Sequence, residues 1–291
     1  MLENSHWRYL PNCKVPEGEQ LPSGTFRYGA VLEYDGNKFC GWQRQLHCEG
    51  VQQAVERALS KVANQALTVA CAGRTDTGVH AWHQVIHFDS TVIRAPRNWL
   101  LGANANLPES IRLHWVEALP AQFHARFSAR SRTYRYLILN RRVKAAVMHG
   151  GLSWCRHPLS ITPMAEAAEA LLGEQDFSAF RGAGCQSNTP MRNVKSVKVF
   201  QQGDIIAIEI CANAFLLHMV RNIAGALMAV GRGQQSVSWI SELLVGRDRT
   251  QSAATAPAAG LYLIDVNYPE QFQLPYRPPP AYLLGSGEEG E

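Results

Sequence analysis

The sequence predicts an α+β protein with two halves of the same βαββαβ order. Strand-like and helix-like segments follow one another in that order twice, and both ends of the chain are rich in Pro, Gly and polar residues. The 291 residues are 46% hydrophobic and 18% charged, which gives enough core for two modest domains. Each half has the order of a ferredoxin-like split βαβ unit, so two units side by side would form a continuous mixed, mainly antiparallel sheet flanked by helices.

Composition also sets the predicted boundaries. Residues 1–24 and 269–291 are expected to be poorly ordered tails, because they are rich in Pro, Gly and polar or acidic residues. Residues 25–128 form the first predicted domain. Residues 129–268 form the second, which carries an inserted helix.

In the first half, residues 25–35 predict a strand because β-branched and aromatic residues dominate them. Residues 50–64 predict a helix, since their apolar residues recur at helical spacing and give one apolar face. The remaining predicted elements are strands near 67–72, 82–88 and 111–117 and a short helix near 96–105.

The second half begins with a predicted strand at 131–139. A helix at 163–172 is predicted from Thr162 as N-cap, Pro163 at the first helical position and Gly173 as the stop signal. The later predicted elements are strands near 194–200, 205–211 and 260–266, a helix at 214–230 and the inserted helix near 237–245.

Basic residues are concentrated in the middle of the chain. The net charge is only +4, but residues 118–165 hold eight Lys or Arg and no acidic residue. Aromatic residues alternate with these cations, which is the pattern that phosphate neutralisation and base stacking require. Because side chains alternate along a strand, Tyr134 and Tyr136 share a face with Arg132, so either ring could stack in a site while Arg132 reaches a phosphate.

The seven cysteines are scattered, odd in number and without a C-x-x-C pair. This pattern indicates neither a disulfide framework nor a zinc ribbon. The N-terminus has no signal-peptide pattern, and the most apolar stretch is interrupted by polar residues. We therefore expect a cytoplasmic protein with no membrane association.

The stretch "CAGRTDTGVHA" (71–81) places Asp76 in a loop between two predicted strands. An Asp beside Gly is typical of a simple turn, whereas Arg74 nearby also suits a site that holds an ionised carboxylate or a phosphate. His80, His83 and His87 could be drawn as metal ligands. On a strand, however, His83 and His87 would stand about 13 Å apart at roughly 3.3 Å per residue, so we expect no metal site.

Arg221 lies in the predicted helix at 214–230, which is apolar on nearly every side and should be buried in a core or an interface. A buried guanidinium needs an anionic partner. Asp76 is one candidate, and a structural ion pair is another.

Seven segments carry a family resemblance. They are "YDGNKFCGWQRQ" (34–45), "CAGRTDTGVHA" (71–81), "LGANANLP" (101–108), "FHARFSARSRTYRY" (123–136), "DFSAFR" (176–181), "NAFLLHMVRNIAGAL" (213–227) and "GLYL" (260–263). Together, and in this order, they resemble the bacterial tRNA pseudouridine synthase A family. The resemblance extends from about residue 26 to residue 268.

This resemblance implies conversion of uridine to pseudouridine at positions 38, 39 and 40 of the tRNA anticodon stem-loop, by a homodimer without a cofactor. It implies that Asp76 is the nucleophile, that Tyr134 stacks on the target base and that Arg221 pairs with the catalytic carboxylate. Arg74 is associated with admission of the flipped nucleotide. The carboxylate could add at uracil C6, attack ribose C1′ or deprotonate C2′, and the sequence does not choose among these routes.

Other RNA contacts are predicted at Arg126 and Arg132 in the basic segment. Leu261 or Leu263 would supply part of an apolar wall against the released uracil. Two other classes of protein stay open: an RNA-binding module or tRNA chaperone without chemistry, and a hydrolase that uses Asp76 on a nucleoside or a phosphoester.

Overall fold

The computed structural model describes residues 21–284, so residues 1–20 of the predicted tail at 1–24 and residues 285–291 of the predicted tail at 269–291 lie outside the described residues. Within 21–284, ten strands and five α-helices form a mixed, mainly antiparallel sheet flanked by helices, and the predicted α+β class is confirmed. No helix in this range is long and apolar enough to cross a membrane. The chain divides into two compact units, residues 21–130 with Leu263–Pro278 and Ser131–Tyr262 with residues 279–284.

The first unit follows the predicted order of elements. Its members are β1 Phe26–Tyr34, α1 Val51–Ala63, β2 Ala70–Cys71, β3 His80–Ser90, α2 Pro96–Asn106 and β4 Ile111–Leu119. β1 is the central strand and pairs antiparallel with β3 on one side and β4 on the other. Seven of its nine residues are buried, which explains its nearly continuous apolar sequence.

In the second unit, the central pairing is that of β5 with β9. The elements are β5 Ser131–Asn140, β6 Ser153–Cys155, α3 Ile161–Glu169, β7 Gly173–Asp176, β8 Met191–Gln202, β9 Ile205–Ala212, α4 Met219–Gly231, α5 Trp239–Gly246 and β10 Leu261–Asn267, whose residues are shared by the two units. β9 lies between β5 and β8, β7 follows β8, and β6 pairs parallel with β5.

The helix predicted at 163–172 is shifted. α3 starts at Ile161 after Ser160, whose backbone is extended, so the predictions for Thr162 as N-cap and Pro163 as first residue are wrong. Pro is tolerated throughout the first helical turn, where no intrahelical N–H bond is lost, and it therefore does not fix the start. Gly173 begins the unpredicted strand β7.

The helix predicted from Ala214 starts five residues later, at Met219. Asn213 accepts hydrogen bonds from the backbone N–H groups of Asn193 and Ala214, which turns the chain away from β9. His218 then has a left-handed backbone with φ 60°, and the helix begins after it. The helix itself is buried along most of its length, as predicted.

The expectation of a poorly ordered tail from residue 269 is wrong for residues 269–284. Phe272 is 5% exposed, and its ring lies 5.2 Å from that of Phe123. Arg277 forms a 2.8 Å ion pair with Glu33. These contacts with the first unit order a segment whose Pro-rich composition alone suggested disorder.

Candidate active site

The Asp76 loop, residues 73–78, connects β2 and β3 in the first unit. It contains the expected turn, in which the N–H of Val79 donates to the carbonyl of Asp76 at 3.0 Å and Gly78 has φ +78°. The side chain of Asp76 is partly buried, whereas Arg74 and Thr77 are exposed. The turn therefore presents a carboxylate that is partly shielded from water beside an accessible cation.

Three hydrogen bonds fasten this loop to the sheet and to the segment after β1. The hydroxyls of Tyr34 and Thr75 are 2.8 Å apart, and the N–H of Trp42 donates to the carbonyl of Thr75 at 2.9 Å. The side-chain amide of Gln84 donates to the carbonyl of Gly73 at 2.7 Å. The backbone on the N-terminal side of Asp76 is thereby held at two residues.

Gly41 allows the segment after β1 to approach the Asp76 loop. Its φ is +83°, and a Cβ at this position would lie 2.7 Å from the carbonyl oxygen of Thr75. Only glycine satisfies both conditions without strain. The sequence did not point to Gly41, Trp42 and Gln84 as residues that contact this loop, although the Gly-Trp pair in "YDGNKFCGWQRQ" was a usable signal.

A disulfide joins Cys40 to Cys48 in the same segment, with Cα atoms 6.1 Å apart. Spacing alone did not indicate this pair, because the two residues are brought together by a loop rather than by a C-x-x-C motif. The cysteine pattern, which indicated no disulfide framework, therefore did not predict this single pair.

Arg74 and Arg126 both act electrostatically on Cys71, and each favours its thiolate. Burial dominates nevertheless and raises the pKa of Cys71 to about 12. Because Cys71 precedes the Asp76 loop, two of the predicted RNA contacts contribute positive potential to this region. Arg126 also lies 5.6 Å above the ring of Phe127, which is 75% exposed.

In the second unit, Arg221 lies in the first turn of α4 and is partly buried. Its Nε donates to the carbonyl of Ala256 at 2.9 Å, and the N–H of Ala256 donates to the carbonyl of Arg221 at 3.2 Å. Gly225, one turn later, allows this close packing, since a Cβ there would meet the carbonyl of Ala254. The segment 254–256 therefore holds both the main chain and the Nε atom of Arg221 in place.

The two candidate tyrosines of β5 differ in their surroundings. Tyr136 is fully buried, its hydroxyl donates to the carbonyl of Pro257 at 2.8 Å, and burial raises the pKa of the hydroxyl. Tyr134 keeps 8% of its surface exposed and meets Phe215 edge-on, with ring centroids 5.0 Å apart. Of the two rings, Tyr134 is better suited to stack on a base.

The other predicted contacts are largely buried. Arg132 donates to the carbonyl of Asn213 at 2.8 Å and so supports the turn after β9. Leu261 is 5% exposed and Leu263 is fully buried, so Leu261 has the more accessible surface for an apolar wall. The roles assigned to these residues stay predictions.

Two of the three histidines of β3 accept hydrogen bonds from the main chain. The Nδ1 atoms of His80 and His87 accept from the N–H groups of Gly36 and Ala125, both at 3.1 Å. Burial is the main cause that lowers the pKa of His87 to about 4 and that of His83 to about 3. Among residues 21–284, no group of three His, Cys, Asp or Glu side chains could hold a metal ion.

Residues 30–128 and 167–269 match the family model described as tRNA pseudouridine synthase. The "tRNA pseudouridine synthase A" of Enterobacter sp. (strain 638) is 53% identical over 258 residues, which cover 89% of this chain and 95% of that protein. The proteins of the same name from Cronobacter sakazakii (strain ATCC BAA-894) and Escherichia coli O9:H4 (strain HS) are each 51% identical over 266 residues, covering 91% of this chain and 98% of theirs.

Proposed function

Because the chain belongs to the tRNA pseudouridine synthase family and is an isomerase acting on uridine in tRNA, we propose that its targets are positions 38, 39 and 40 of the anticodon stem-loop, with Asp76 as the nucleophile. The observation that carries the proposal is the partly buried carboxylate on a fastened loop. Arg74 and Arg126 add positive potential to the same region, which suits a polyanionic substrate.

The reaction breaks the bond between N1 and C1′, turns the freed uracil and joins C5 to C1′. Atoms and electrons balance within the substrate, so the chain needs no cofactor to supply either. A carboxylate can begin this sequence by adding at uracil C6, by attacking ribose C1′ or by removing a proton from C2′. Since the uracil leaves C1′ during the reaction, the site must also hold the free base in place.

Tyr134 is the proposed stacking partner of the target base, with Leu261 or Leu263 as part of the apolar wall. Arg221 is proposed to pair with the carboxylate of Asp76. Arg74 would admit the extruded nucleotide. Extrusion from a stem costs a few kcal/mol, which phosphate contacts such as those proposed for Arg126 and Arg132 would offset.

We also propose that the protein works as a homodimer in the cytoplasm. The family resemblance supports the dimer, whereas α4, which the sequence offered as either core or interface, is largely buried within the second unit. Light scattering of the full chain at several concentrations tests this proposal: a constant monomer mass contradicts it.

The central experiment maps pseudouridine by carbodiimide labelling and mass shift in unmodified tRNA incubated with the wild-type protein. The test variant is Asp76→Ala. Asp204→Ala is a matched control, because its carboxylate lies on an exposed turn between β8 and β9. We expect label at positions 38 to 40 with the wild type and the control, and none with Asp76→Ala, which should still bind tRNA.

The rival classes predict other products. Binding of tRNA without label by any of the three proteins would favour an RNA-binding module. Release of free uracil or of phosphate would favour a hydrolase. Label at other uridines would retain the isomerase and overturn the proposed positions.

A further inference from the structure

Gln84 is the polar residue of β3 that has no exposed surface at all. A buried side-chain amide costs free energy unless its N–H and C=O groups are hydrogen-bonded, and an apolar residue would fill this position at lower cost. The bonds of Gln84 therefore indicate what the residue does. They lead to the Asp76 loop.

The pairing of β2 with β3 ends just before that loop. Ala70 and Cys71 pair with His87 and Ile86, and the N–H of Ala72 still donates to the carbonyl of Val85 at 2.8 Å. At the next residue, Gly73, the hydrogen bonds come from the side chain of Gln84 instead of the main chain of β3. This side chain donates to the carbonyl of Gly73 at 2.7 Å and accepts from the N–H of Gly73 at 3.4 Å.

Both ends of the Gln84 amide are thus matched to one residue of the loop. Gly73 offers a donor and an acceptor, which fixes the orientation of the amide. The Nε2 atom also lies 3.4 Å from the hydroxyl of Tyr34, which bonds to Thr75 at 2.8 Å. Gln84 and Tyr34 together hold the residues three and one positions before Asp76.

We propose that Gln84 is a positioning residue for Asp76. It extends the β2–β3 ladder by one residue, so that the loop leaves the sheet at a fixed point and the Asp76 carboxylate keeps one position. This inference rests on the proposed role of Asp76. A nucleophile displaced by about 1 Å can lose about 100-fold in rate, so small movements of Gly73 matter.

Gln84→Leu keeps most of the buried volume and removes both bonds to Gly73. We expect it to lower kcat for pseudouridine formation by about 10-fold to 100-fold, with KM for tRNA changed by less than about threefold, because the proposed RNA contacts other than Arg74 lie outside the Asp76 loop. His83→Leu is the matched control. His83 is 1% exposed on the same strand, and its Nδ1 has no hydrogen-bond partner among the described residues.

Gln84→Glu separates positioning from packing. An ionised Glu has no proton to donate, so its carboxylate repels the carbonyl oxygen of Gly73. A protonated Glu can donate to that carbonyl and accept from the N–H of Gly73, as Gln84 does. Burial raises a carboxyl pKa. The ratio of variant to wild-type kcat should therefore rise as pH falls from about 8 to about 6, and a ratio independent of pH contradicts the proposal.

Amide hydrogen exchange of residues 74–79, measured by mass spectrometry on the full chain, gives a readout that needs no activity. We expect exchange in Gln84→Leu to be at least about 10-fold faster than in the wild type, with no change in His83→Leu. Equal exchange in the two variants overturns the positioning proposal even if pseudouridine forms. Wild-type protein without activity but with this exchange pattern would overturn the proposed function and leave the loop anchor standing.

Discussion

Gly41→Ala is expected to disturb the Asp76 loop at Thr75 and Asp76, whereas Gln84 contacts it at Gly73. Gly41 has φ +83°, and a Cβ there would lie 2.7 Å from the carbonyl oxygen of Thr75 and 3.1 Å from the carbonyl carbon of Asp76. Ordinary van der Waals contact starts at 3.4 Å. Alanine would therefore push the loop away by several tenths of an ångström, and the bond from Trp42 to Thr75 would lengthen.

Two costs add up in this variant. A left-handed backbone costs an L-residue about 1–2 kcal/mol. Overpacking against the loop adds about 1–3 kcal/mol. Gly173→Ala isolates the first cost, because Gly173 has φ +88° and nothing within 4 Å of the added Cβ.

The free energy of unfolding from urea titration and kcat from pseudouridine mapping are measured for both variants. We expect Gly41→Ala to lose about 2–5 kcal/mol of stability and about 10-fold to 100-fold in kcat, and Gly173→Ala to lose about 1–2 kcal/mol and no activity. If Gly41→Ala is no less stable than Gly173→Ala and retains its kcat, the close packing of Gly41 on the loop is refuted.

Three further predictions concern ionisable groups. Glu209→Ala leaves Arg135, whose side chain is 3% exposed, without its carboxylate partner, and urea titration should show a loss of about 3–5 kcal/mol; a loss below about 1 kcal/mol contradicts the pairing. Burial raises the pKa of Cys185, but hydrogen bonds outweigh it and lower that pKa, whereas burial raises the pKa of Cys71 to about 12. Iodoacetamide should therefore label Cys185 before Cys71, and peptide mapping that finds Cys71 labelled first would disprove this. His87, whose pKa is lowered to about 4, binds its proton more readily when unfolded, so stability should fall as pH drops from about 6.5 to about 4, and His87→Asn should flatten this dependence in urea titrations across that range.

Residue type and apolar spacing predicted the helices and strands whose formation depends on their own residues. The strand at Phe26–Tyr34 and the helix at Val51–Ala63 follow from residue type and apolar spacing within one segment. The apolar pattern of the fourth helix continues backwards into residues 214–218, where Asn213 and the left-handed His218 prevent a helix, and periodicity cannot show that interruption. β6 and β7 are too short to carry a pattern.

The residues proposed for the site could be singled out from the sequence where the chemistry belongs to one residue. Asp76, Arg74 and Tyr134 carry recognisable groups in recognisable segments. Gly41 and Gln84 do not, because their contacts with the Asp76 loop join residues more than ten positions apart in the chain. Similarly, the pairing of Cys40 with Cys48 depends on how the intervening loop folds back.

The contacts of Phe272 and Arg277 with the first unit have a consequence for synthesis on the ribosome. Phe123 is made early, whereas the ring that packs against it is separated from it by the whole second unit. At about 5–20 residues per second, translation of that stretch takes on the order of ten seconds. During this interval the nascent first unit carries uncovered aromatic surface, so its completion waits until residues 263–278 have been made. Chaperones that bind exposed apolar segments have time to act on it.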